Sequence, residues 1–266
     1  MKILFFLLFI ISQITFSKEL YRDKRLRIEI VSSKSKFVQG DTLLLAVKVT
    51  LAKGWHIYWL NPGDAGEPTI LEIKTNLPGY SEIIPTYPPP VLKIENDILT
   101  LEYRDIVYFP FTLVLPKGSP RNLELELKAK WLVCREKCLP GKAHIKKVFP
   151  IDKSLSKSDV DTKLRKMFPI FEPDTILAHI SFLDDVANLI FEIPFETNAK
   201  SIFFFPKNEG LFDLRYQPKF YQKNRQITTQ LKMLQYIWGE KSNIGGILEV
   251  LASDSSKKYF HVKVVN

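Results

Sequence analysis

Two cysteines, Cys134 and Cys138, are the whole thiol content of this 266-residue chain, and both fall in W-L-V-C-R-E-K-C-L-P-G at residues 131–141. Thiols this close can form a disulfide, exchange one with a partner, or offer two soft ligands to a metal. The spacing constrains the geometry. A disulfide needs its Cα atoms about 4.4–6.8 Å apart, whereas four extended steps cover about 13 Å. The segment must bend, and Arg135-Glu136-Lys137 is the place for the bend.

The flanks supply the elements that would position the pair. Residues 123–133, L-E-L-E-L-K-A-K-W-L-V, alternate apolar with charged residues as a half-buried strand does, and residues 143–149 are a second extended candidate. Together they predict a hairpin with the cysteines facing each other at the strand ends. A bridge there closes a very small loop. In the chain-entropy account a small loop stabilises little, which suits a switch better than a staple.

Strand signals predominate elsewhere. Residues 26–31, 42–50 and 107–115 are β-rich runs separated by turn formers, with Pro110 suited to an edge strand or bulge. The Thr86-Tyr87-Pro88-Pro89-Pro90 run predicts an extended surface loop. Residues 158–167 predict a short helix capped by Ser158, within a linker over residues 151–175. Strand patterns return at 189–193, 201–205, 246–252 and 259–265. The expected fold class is therefore all-β: an antiparallel β-sandwich over residues 18–150, then a second, smaller β domain over 176–266.

Compartment decides what a lone cysteine pair means. Residues 1–17 carry one basic residue, Lys2, then an apolar run over residues 3–11, then Thr15 and Ser17. That run is too short for the roughly 20 residues of a spanning helix and reads as a signal peptide cleaved near Ser17. Export would place the pair where disulfides persist. Removing the signal peptide takes away one lysine and no acid, so the formal charge of +9 becomes +8. The charges are dispersed among acids, which reads as a solvated basic surface and not a nucleic-acid site. With 45% hydrophobic and 12% aromatic residues, the chain can bury a core unaided.

A second dense segment is G-W-H-I-Y-W-L-N-P-G-D-A-G-E-P-T at residues 54–69. Trp55, Tyr58 and Trp59 concentrate aromatic area, and the Asn-Pro-Gly-Asp and Ala-Gly-Glu-Pro runs supply turns. Such a loop can wall a reactive group or plug one end of a sandwich.

These two motifs, in this order, resemble the N-terminal periplasmic domain of the DsbD family of thiol:disulfide interchange proteins, particularly its longer ScsB-like branch. The resemblance covers residues 25–150, and F-F-F-P-K-N-E-G-L at 203–211 is more weakly similar to that branch's second module. It implies an immunoglobulin-like sandwich with Cys134 and Cys138 as the redox-active pair and Trp55, Tyr58, Trp59 and Tyr103 beside it. It implies a thioredoxin-like protein or membrane electron transporter as donor. A periplasmic disulfide isomerase or cytochrome-maturation protein would be the acceptor, and no cofactor is expected. Family members continue into a multi-helix membrane domain and a thioredoxin-like domain; this chain has neither, so its electrons would come from a separate polypeptide. The family's cap loop corresponds to residues 95–99, where Ile98 or Leu99 stands in place of an aromatic residue.

Three functional classes follow: thiol:disulfide exchange, a partner-binding sandwich with a structural disulfide, and a copper or zinc site built from the pair with His144 or His56. Hydrolase chemistry has no motif to support it.

Overall fold

Alternation in sequence becomes alternation in burial. In the 13-residue strand Asn122–Cys134 the side chains of Leu123, Leu125, Leu127, Ala129, Trp131 and Val133 are buried, while Glu124, Lys128 and Lys130 face solvent. The computed structural model describes residues 19–34, 36–152, 166, 168, 171–172, 175–194, 199–216 and 218–265. The expected signal peptide lies outside these residues, as does nearly all of the expected linker helix.

Along the first half run β1 (Leu20–Arg22), β2 (Leu26–Ser32), β3 (Phe37–Val38), β4 (Thr42–Leu51), β5 (His56–Gly63), β6 (Ile70–Thr75), β7 (Val91–Glu95), β8 (Ile98–Arg104), β9 (Ile106–Val114), β10 (Asn122–Cys134) and β11 (Cys138–Asp152). They form one sheet in the order β1-β2-β4-β9 and a second in the order β3-β11-β10-β5-β8-β7, with β6 also paired to β10. The apolar faces of the two sheets close a core that includes Ile28, Leu45, Val47 and Phe109 from one and Ile57, Trp59, Leu101 and Leu125 from the other. Burying each such side chain contributes about 1.5–3 kcal/mol.

The second half contains β12 (Ile176–Leu183), β13 (Val186–Glu192), β14 (Ala199–Pro206), β15 (Phe220–Lys223), β16 (Gln226–Lys232), β17 (Gly245–Ala252) and β18 (Lys257–Val265). These make one sheet ordered β14-β17-β18-β12-β13-β16-β15. Phe191 of β13 meets Phe204 of β14 at 5.2 Å between ring centroids, although three strands separate them in that order. The sheet must therefore curl over on itself around its aromatic core. The all-β expectation holds across both halves.

Two local readings change. Residues 54–69, read as a loop, begin with a full strand, β5. The Thr86–Pro90 run lies outside the strands, as expected of a loop, but Tyr87, Pro88 and Pro90 are buried, not on the surface. Prolines have no N–H to leave unpaired, so this stretch can enter the interior at low cost. Several of its polar groups are paired: the Tyr103 hydroxyl donates to the Pro88 carbonyl at 2.6 Å, the Leu71 N–H donates to the Tyr87 hydroxyl at 3.0 Å, and the Thr86 N–H donates to the Pro110 carbonyl at 2.7 Å. Pro110 lies on β9, an edge strand of its sheet, as its chemistry requires.

Candidate functional site: the Cys134–Cys138 hairpin tip

The β10–β11 ladder runs unbroken from Asn122 opposite Pro150 to Cys134 opposite Cys138. The two cysteines are disulfide-bonded with Cα atoms 4.1 Å apart, and Arg135, Glu136 and Lys137 form the turn. Gly141, opposite Trp131, is where the hairpin needs a residue without a side chain, because a Cβ there would collide with the Trp131 indole.

The two sulfur-bearing residues are not equivalent. Cys134 is on an interior strand, with Cys138 on one side and His56 of β5 on the other, and is only 2% exposed. Cys138 opens β11, whose other neighbour, β3, reaches it only at Ile151 and Asp152. At the hairpin tip β11 is thus an edge strand, and Cys138 is exposed.

Period-two alternation sorts the residues of β5. Ile57 and Trp59 enter the core, and the intervening His56 and Tyr58 point to the other face. The Tyr58 hydroxyl lies 4.0 Å from Cys138 Sγ and 3.3 Å from His56 Nε2. Gly66, at φ +116°, brings the following loop back over Tyr58; a Cβ there would sit 2.6 Å from the ring. Opposite β5 in register, β8 places Glu102 against Tyr58 and Arg104 against His56. The Glu102 carboxylate, 1% exposed, accepts a hydrogen bond from Arg104 Nε at 2.6 Å and stands 3.4 Å from His56 Nε2. Burial pushes the His56 imidazole below its usual value; Glu102 and Glu95 pull it up and Arg104 pulls it down. Burial raises the Tyr58 phenol, and Glu102 adds to that. At the turn, Arg135 lies over the Trp55 ring at 5.5 Å and pairs with Glu136 at 3.3 Å.

Residues 27–150 match the family described as thiol:disulfide interchange protein DsbD, N-terminal. Over these residues, just under half of the chain, the sequence is similar to that family. Among solved structures, the N-terminal periplasmic domain of ScsB from Proteus mirabilis aligns over 93% of this chain and 98% of its own, at a TM-score of 0.57 and 15% identity. That likeness extends the common fold past the DsbD-type domain into the second half. A marsupial T cell receptor, at 8% identity over 91% of this chain and 98% of its own, reaches a TM-score of only 0.20, and nothing rests on it. No curated protein matches the chain.

Within the DsbD-type domain, the residues expected near the pair divide. Tyr58 reaches Cys138, and Trp55 reaches the turn through Arg135. Trp59 is in the core and meets Phe205 of the second half edge-on at 6.2 Å. Tyr103 is likewise buried, edge-on to Phe109 at 5.2 Å, with its hydroxyl on Pro88. At the cap, Asn96 and Asp97 form the β7–β8 turn at positive φ; Ile98 is exposed, and Leu99 is buried against Gly63.

The sequence offers His56 only as a metal ligand; the structure sets it between Glu102 and Tyr58, with Arg104 on the Glu102 carboxylate. The available signal was the alternation H-x-Y in β5 and E-x-R in β8. His144 is paired with Glu126 farther down the hairpin. Among the described residues no group of three or more His, Cys, Asp or Glu is arranged to hold a metal ion.

Proposed function

We propose that this chain is an exported thiol:disulfide interchange protein, its Cys134–Cys138 pair carrying two electrons from a thioredoxin-like donor to a periplasmic acceptor. The observation that carries this reading is the unequal exposure of the two cysteines at an edge-strand hairpin tip. An incoming thiolate can reach Cys138 Sγ, so the donor's sulfur bonds to Cys138 and Cys134 leaves as a thiolate that takes up a proton. The donor's second thiolate then attacks its own sulfur and releases Cys138, leaving the chain a dithiol and the donor a disulfide. Delivery to the acceptor runs the same chemistry outward: the Cys138 thiolate attacks the acceptor's disulfide and Cys134 resolves the mixed disulfide.

The test has two parts. A reduced thioredoxin-like protein should reduce the bridge in the purified chain, and a disulfide-bearing acceptor should re-form it, with the circular dichroism spectrum unchanged. Cys134→Ala should trap a thioredoxin-fold partner through Cys138, and Cys138→Ala should trap far less. A bridge that resists the donor, or a fold that collapses on reduction, would assign the disulfide to structure and end the exchange reading.

A further inference from the structure

Glu102 is a carboxylate inside the protein, and a buried charge persists only when paired and hydrogen-bonded. Arg104 Nε occupies its Oε1; its Oε2 faces His56 Nε2 at 3.4 Å. This arrangement fixes the imidazole tautomer. His56 Nδ1 is buried without a hydrogen-bond partner, so a proton there would be stranded while a bare Nε2 faced the carboxylate. The proton therefore belongs on Nε2, which also stands 3.3 Å from the Tyr58 hydroxyl oxygen. That one hydrogen lies between two acceptors, Glu102 Oε2 and the Tyr58 oxygen, and an oxygen that takes a share in it turns its own O–H elsewhere. Cys138 Sγ, at 4.0 Å, is the acceptor on that side.

We propose that Glu102 and His56 are positioning residues that aim the Tyr58 O–H at Cys138, where it stabilises the thiolate of the reduced pair. The proposal rests on the exchange reading above and extends it from the cysteines to a three-residue chain linking β8 to the sulfur. Hydrogen bonding to a thiolate favours the charged form and raises the fraction able to attack at neutral pH. The other charges near His56 are Arg104 on β8 and Glu95 on β7; those next to Cys138 are Arg135, Glu136 and Lys137 of the turn. The turn carries charges of both signs, with Arg135 already engaged by Glu136 and Trp55. Tyr58 is the side-chain donor that the structure holds against Cys138 Sγ, at 4.0 Å.

The experiment uses the Cys134→Ala chain, in which Cys138 is the sole thiol, and follows its alkylation by iodoacetamide from about pH 5 to about pH 10, around the ordinary thiol value of about 8.5. Adding Tyr58→Phe should raise the midpoint by about one pH unit and slow the reaction near neutrality up to about tenfold. His56→Leu and Glu102→Gln should shift it in the same direction. His56→Gln keeps an N–H able to reach the Tyr58 oxygen and should restore much of the parent profile. Profiles of folded Tyr58→Phe or His56→Leu that superimpose on the parent would overturn the proposal. So would a His56→Gln profile as displaced as that of His56→Leu, which would reduce His56 to packing. The measurement needs no redox partner, so a wild-type bridge that no thioredoxin-like donor reduces would defeat the exchange reading and leave this comparison intact.

Discussion

Cys134 and Cys138 differ in exposure because one has a strand on each side and the other begins an edge, and that difference depends on long-range pairing. Their spacing was legible in the sequence, and so was the need for a bend. Their asymmetry was not, because it requires His56 of β5 to lie beside Cys134, a contact spanning much of the domain. Glu102 and His56 were hidden for the same reason: they meet only through the β5–β8 register. Their burial has a consequence for stability. His56 and His261 are both held below the ordinary value of 6.5 by burial, His261 with a further push from Lys207. With folded-state values below the unfolded ones, the native chain binds fewer protons than the unfolded chain in that range. Their contribution is therefore complete above about pH 6.5 and declines as pH falls through the lowered values. Urea midpoints should drop between neutral and mildly acidic buffer, and the drop should be smaller in His56→Gln. A midpoint that rises on acidification would contradict the assignment.

At the scale of elements, the β10–β11 hairpin was legible because its alternation is regular and its turn lies between two cysteines. The structure extends the predicted strands to the cysteines themselves. β5 is obscured in the sequence because the Asn-Pro-Gly-Asp and Ala-Gly-Glu-Pro turn signals extend a loop assignment over the whole aromatic segment, although W-H-I-Y-W alternates between two faces. The buried Tyr87-Pro88 stretch was missed because proline signals extended chain without saying which side of it faces water. The hairpin makes its own prediction. Thirteen opposed pairs join β10 to β11, of which the disulfide is only the last. In the chain-entropy account a bridge closing a five-residue loop contributes about 2 kcal/mol, less than the roughly 3 kcal/mol of a fifteen-residue loop. Replacing both cysteines by alanine should thus lower the unfolding free energy in urea by about 2 kcal/mol or less and leave the slope with denaturant unchanged. A much larger loss would make the disulfide a structural staple.

For the whole molecule, the all-β class was legible from strand and turn spacing, but the way the two halves join was not, because Asn61 reads in sequence as an ordinary turn residue of L-N-P-G. In the structure it is 6% exposed and reaches across to the second half: its Nδ2 donates to the carbonyls of Pro206 at 2.9 Å and Asn208 at 3.1 Å, and its Oδ1 accepts the Gly63 N–H at 3.0 Å. Trp59 packs on Phe205 beside it, and Arg215 pairs with Asp64 while donating to the Asp97 carbonyl at 3.2 Å. The motif at residues 54–69 therefore serves two places, with His56 and Tyr58 toward the disulfide and Trp59, Asn61 and Asp64 toward the second half. Asn61 distinguishes a hydrogen-bonded joint from simple contact. Asn61→Ala leaves the buried Pro206 carbonyl and the half-buried Asn208 carbonyl without this donor and should cost about 1–3 kcal/mol. Asn61→Asp keeps the size and the acceptor for Gly63 but sets a carboxylate against two carbonyl oxygens, so it should cost more than alanine despite the smaller change in shape. Urea unfolding of the two variants checks the order. If aspartate proves the milder substitution, Asn61 is not the donor joining the halves, and the joint depends on the Trp59–Phe205 contact and the Arg215 ion pairs.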